Sequence, residues 1–116
     1  MTPEQLDHLQ KLKTHLENLL ANAEKRTPGA WGSNEGQYVC ADDHGVAECY
    51  HRDSDENDHN ATFISSCAGN AEAGWKSTRA AINWLMLMHD LGEGWRNVGL
   101  VDDILAAWPI ELITKP

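Results

Sequence analysis

Residues 40–59 concentrate the side chains best suited to hold a metal: Cys40, His44, Cys49, His51 and His59, with Asp53, Asp55 and Asp58 among them. Zinc takes four Cys or His ligands in a tetrahedron, and structural sites bring sulfurs together through close pairs such as C-x2-C. Here eight residues separate Cys40 from Cys49 and one separates Cys49 from His51. That matches no compact zinc knuckle, although Cys49 and His51 would share one face of a strand. The metal hypothesis is a zinc module built from Cys40, Cys49, His51 and His59. Its plain rival is a hairpin with small buried thiols and surface imidazoles.

Other chemistries find less support. The stretch from Asp53 to Asp58 resembles the front of a calcium loop, but Asp58 stands where that loop needs Gly and Ile64 where it needs Glu. It is expected to be a solvated acidic loop. No G-x-S-x-G turn presents a serine nucleophile, and no G-x-x-x-x-G-K-S/T or G-x-G-x-x-G loop cradles a phosphate. As nucleophiles Cys40, Cys49 and Cys67 would need a neighbouring His base and an orienting acid, and no local motif supplies that arrangement. The expectation is a protein that is not an enzyme and carries no cofactor, zinc being the one exception considered.

Five tryptophans are many for 116 residues. Each brings a large apolar surface and one indole N–H, so some should anchor the core and others an interface. Trp95 and Trp108 are the candidates for exposed binding residues. Met86, Met88 and Trp84 fall at helical spacing and are expected in the core. His8 and His15, with Lys11, share a helix face and are expected as a solvated flank, a pH-sensitive contact between protomers being the sharper alternative. His89, at a helix end, suits the negative end of the helix dipole.

The elements that position these residues follow from periodicity. Thr2-Pro3-Glu4-Gln5 is a helix start, with Thr2 as N-cap and Gln5 as its reciprocal partner. Leu9, Leu12, Leu16, Leu19 and Ala23 then recur at spacings of three and four. That seam either lies on the chain's own core or pairs with its twin in a homodimer. Thr27-Pro28-Gly29 ends the helix. Residues 37–41 and 46–51 form a hairpin whose turn contains Asp42 to Gly45. A two-residue His44-Gly45 loop would set Cys40 opposite Cys49, and a longer one would shift that pairing.

After the polar stretch from Arg52 to Asn60, Asn60 is a candidate cap for a short helix through about Cys67. Ala68-Gly69-Asn70 should break the chain. Residues 72–91 form the principal core helix, apolar nearly all round and thus expected to be buried on several sides, with Gly92 as its C-cap. A last helix over about Leu100 to Ala107 is interrupted at Trp108-Pro109. The expected fold is α+β: three or four helices packed on a small antiparallel hairpin or sheet, in a single domain over residues 1–116.

Composition bounds the partners. Eighteen acidic against nine basic residues give a formal net charge of −9, which disfavours binding to a phosphate backbone. An apolar fraction of 41% with 23% charged residues is that of a globular chain. No apolar run approaches the ~20 residues that cross a bilayer. With three cysteines and no export signal, the expected setting is reducing and cytoplasmic.

Several boxes resemble a known group. Thr27-Pro28-Gly29-Ala30-Trp31 resembles the T-P-G-P-W box of small phage and prophage proteins, Ala30 replacing the second proline. Val39 to Ala47, with Gly45, is similar to their V-x-x-x-x-G-x-V-A hairpin. Asn60-Ala61-Thr62-Phe63-Ile64 resembles their N-A-x-F-I box, and Gly74 to Ile82 and Ile104 to Pro109 resemble their helical tail. Ser65-Ser66-Cys67-Ala68 departs from their Ala-rich stretch. The group includes the Ead-like accessory proteins of lambdoid phages. The resemblance implies a phage or prophage accessory protein in the cytoplasm of a bacterial host, and it carries over no catalytic residue. The functional expectation is a non-enzymatic module that binds a host protein or a small molecule, with no nucleic acid or membrane partner and a homodimer through the first helix.

Overall fold

A computed structural model describes residues 1–27, 29–34, 37–42, 44–49 and 54–114. It is an α+β structure. Its elements are α1 (Pro3–Glu24), β1 (Trp31–Asn34), β2 (Tyr38–Ala41), β3 (His44–Glu48), α2 (Ser54–Asp90), a 3-10 turn (Gly94–Asn97), α3 (Val98–Ala107) and α4 (Ile110–Ile113). They divide between two compact units: a helical unit, Met1–Ala21 with Trp75–Pro116, and a mixed unit, Asn22–Gly74.

In the helical unit, α1 begins with the expected capping box. Thr2 Oγ1 accepts the Gln5 amide at 3.1 Å, and Gln5 Oε1 accepts the Thr2 amide at 3.0 Å. Leu9, Leu12 and Leu16 are fully buried with Ile82, Leu85, Val101 and Ile113. Leu9, Leu12 and Leu16 of the α1 seam are therefore packed within their own unit. α2 ends as expected. Gly92 adopts φ +79°, its amide donates to His89 O at 3.0 Å, and the Glu93 amide donates to Met88 O at 2.8 Å. This is a Schellman cap. α3 stops at Trp108, whose amide returns to Ile104 O at 3.1 Å, and Pro109 opens α4 in an extended conformation.

In the mixed unit, the three strands form an antiparallel meander in the order β1-β2-β3. The expected hairpin exists, but its turn is different. Ala41 pairs with His44, so the connection is residues 42 and 43, and Cys40 faces Gly45 rather than Cys49. Two contacts from outside the hairpin fix this. The Asp42 amide donates to Ala30 O at 2.8 Å, and Asp42 Oδ1 accepts the Ala30 amide at 3.0 Å. Asp42 thereby holds φ +51°, a conformation that Asp tolerates better than most residues. The pairing slips at Val39/Cys40, leaving Val46 as the extra residue beside Gly45, a bulge of the kind an isolated strand glycine marks.

The largest correction is α2. It runs unbroken for 37 residues, so Ser54–Asn60 is helix rather than loop, Asn60 is inside the helix rather than its cap, and Ala68-Gly69-Asn70 does not interrupt it. Asp55 and Glu56 lie in its first turn, where negative charge meets the positive end of the helix dipole. Ser65 Oγ donates back to Ala61 O and Ser66 Oγ to Phe63 O, both at 2.9 Å, so two residues that favour turns are satisfied within helix.

Candidate functional site

The residues expected to gather a metal are dispersed among the described residues. Val39 packs with Cys49 and Ala61. Cys40, next along β2, points to the opposite face of the strand, so the two buried thiols lie on different sides of the sheet. The Cys49 amide is bonded to Gln37 O at 2.7 Å. His59 is exposed on α2, His44 is exposed on β3, and His51 lies outside the described residues. Among the described residues, no three or more His, Cys, Asp or Glu side chains come together in a metal-binding group.

The mixed unit holds an open cleft of about 340 Å³, lined by Arg26, Trp31, Ser65, Ser66 and Asn70, among others. Its polar groups are largely committed. Arg26 forms a 2.8 Å ion pair with Glu72 and donates to Ala23 O, while both serines bond to helix carbonyls. Trp31 Nε1 donates to Thr27 O at 2.9 Å. This corner joins the end of α1 to the sheet. It accounts structurally for Thr27 and for Gly29 to Trp31 of the box, whose Pro28 lies outside the described residues, the indole packing against Val39, Cys49 and Ala61.

The two candidate tryptophans differ sharply. Trp108 is half-buried against the core of the helical unit. Its carbonyl oxygen lies 2.8 Å from His8 Nε2 and its ring meets His15 edge-on with centroids 6.0 Å apart. The two histidines expected as a solvated flank are thus half-buried packing around Trp108.

Trp95 projects from the 3-10 turn and is 67% exposed, with the Arg96 guanidinium 4.8 Å above its ring. It is not isolated. Leu91 is 64% exposed, Leu87 53% and Trp84 47%, at spacings of four and three along α2 and hence on one helix face. Trp84 and Leu87 were expected in the core. The signal lay in their own pattern: a helix apolar nearly all round either is enclosed or shows a second stripe to solvent. The α1 leucines with Val101 and Ile113 cover the Ile82/Leu85 side, and the opposite stripe is exposed.

Comparison of the chain with protein-family models, curated proteins and solved structures finds no match. No helix among the described residues is long and apolar enough to cross a membrane.

Proposed function

We propose that the protein is a non-enzymatic binding module of phage or prophage origin, and that it acts on a protein of its bacterial host, in the cytoplasm, through the apolar surface around Trp95. The carrying observation is the exposure of Trp95, with Leu91 and Val98, four and three residues away in sequence, also more than two-fifths accessible. Tryptophan is the side chain most often found to dominate a protein interface, and it does so from the centre of an apolar patch. The Arg96 guanidinium over the ring restrains its orientation before any partner arrives. The cleft in the mixed unit offers a small molecule few uncommitted polar groups, which favours a protein target. The resemblance of several boxes to those of the Ead-like group supports the genomic setting.

Capture from host lysate by the wild-type chain and by Trp95→Ala tests this reading. Trp95 is 67% exposed, so the variant should keep the wild-type circular dichroism melt. A host protein retained by the wild type and bound at least about tenfold more weakly by the variant is the expected result. Equal capture by both, or retention of a ligand of a few hundred daltons in native mass spectra in place of a protein, overturns it.

A further inference from the structure

We propose that the exposed stripe on the C-terminal half of α2 pairs with the same stripe of a second copy of the chain, the two helices running antiparallel. Ser77, Ala80, Trp84, Leu87 and Leu91 are all exposed and recur at spacings of three, four, three and four, the pattern by which two helices interlock along a seam. The stripe is graded, with small residues at its N-terminal end and large ones at its C-terminal end. Antiparallel pairing seats Trp84 on Ala80 of the partner subunit and Leu87 against Ser77 of the partner subunit, large on small. Parallel pairing would stack Trp84 on its own copy and leave a gap between the small residues.

The border of the stripe selects the same arrangement. Lys76, Asn83 and Asp90 are exposed and stand seven residues apart on one side of the seam. A twofold axis beside Asn83 brings Lys76 to the Asp90 of the partner subunit, twice per dimer, with the two asparagines meeting at the centre. Registers that seat large on small and those that pair opposite charge coincide, which makes the face complementary to itself. Trp84, Leu87 and Leu91 alone expose roughly 300 Å² of apolar surface. Two such faces bring together roughly 600 Å² of this surface, to which the borders add, so the association is expected to be weak and to show only at high protein concentration. The partner of this face is thus a second copy, which at Leu91 borders the surface proposed for a host protein at Trp95.

Sedimentation velocity at low salt, over about a hundredfold range of protein concentration, reads this out. The wild type should pass from monomer to dimer, and Leu87→Glu should remain monomeric with an unchanged helix signal. Asp90→Lys and Lys76→Asp should each weaken association about tenfold, and the double variant K76D/D90K should restore it. Asp90→Lys also places a cation in the last turn of α2, so its monomer should melt no lower than wild type while dimerising less well. A monomer at every concentration overturns the proposal. So does a dimer insensitive to Leu87→Glu, or a double variant no better than the singles.

Discussion

Gly29 shows what a single residue holds in place. Its φ is +105°, and a methyl group on its Cα would run into the Asp42 carboxylate. That carboxylate accepts the Ala30 amide and belongs to the residue whose backbone sets the β2–β3 connection. Gly29→Ala therefore strains the backbone and displaces the carboxylate from its donor. The expected loss is about 2–4 kcal/mol in urea unfolding. Asp42→Asn is the control, since Asn keeps an oxygen acceptor and tolerates positive φ; it should cost less than about 1 kcal/mol. A Gly29→Ala protein as stable as wild type would mean that this corner rearranges without cost.

At the scale of elements, α2 invites a test of opposite sign. Gly69 and Gly74 lie inside the helix with open space where a Cβ would stand. Each lowers helix stability relative to alanine by about 0.5–1 kcal/mol. Gly69→Ala and Gly74→Ala should each raise stability by that amount in thermal or urea unfolding. If Gly69 instead marked a break, the alanine variant would be neutral or destabilised. The same helix shows what was legible in the sequence. The capping box at Thr2 and Gln5, the leucine seam, the Gly92 cap and the interruption at Trp108-Pro109 are local devices, and each is found where expected. The α2 boundaries were not legible, because Asn60, Gly69 and Asn70 favour turns by local propensity while the packing of Ala61 and Ser65 keeps the helix intact. Nor was the hairpin turn, since the partner that fixes Asp42 is Ala30, twelve residues away. Of the site, the surplus of tryptophans pointed to Trp95 and Trp108 alike as exposed residues, and only Trp95 is largely exposed. The stripe behind it was not legible, because periodicity identifies an apolar face without saying what covers it.

For the molecule as a whole the deciding quantity is charge. A net −9 over 116 residues opposes the compact state through self-repulsion, a long-range effect that salt screens. Acting against it, salt also weakens attractive pairs. Two of these, Lys11–Asp7 at 2.9 Å and Arg96–Glu93 at 3.0 Å, join exposed neighbours on a single helix or turn. Such pairs are each worth only about 0.3–0.5 kcal/mol. The Arg26–Glu72 pair is more sheltered and is screened less. Repulsion should therefore dominate the response, and the melting temperature should rise by a few degrees as sodium chloride increases from about 0.02 to 0.5 M. Scanning calorimetry on the Leu87→Glu variant isolates the effect from self-association, whose own ion pairs would weaken over the same range. A melting temperature that falls with salt in that variant would show that local pairs outweigh the net charge. The −9 balance would then act mainly on which partners the surface admits rather than on the stability of the fold.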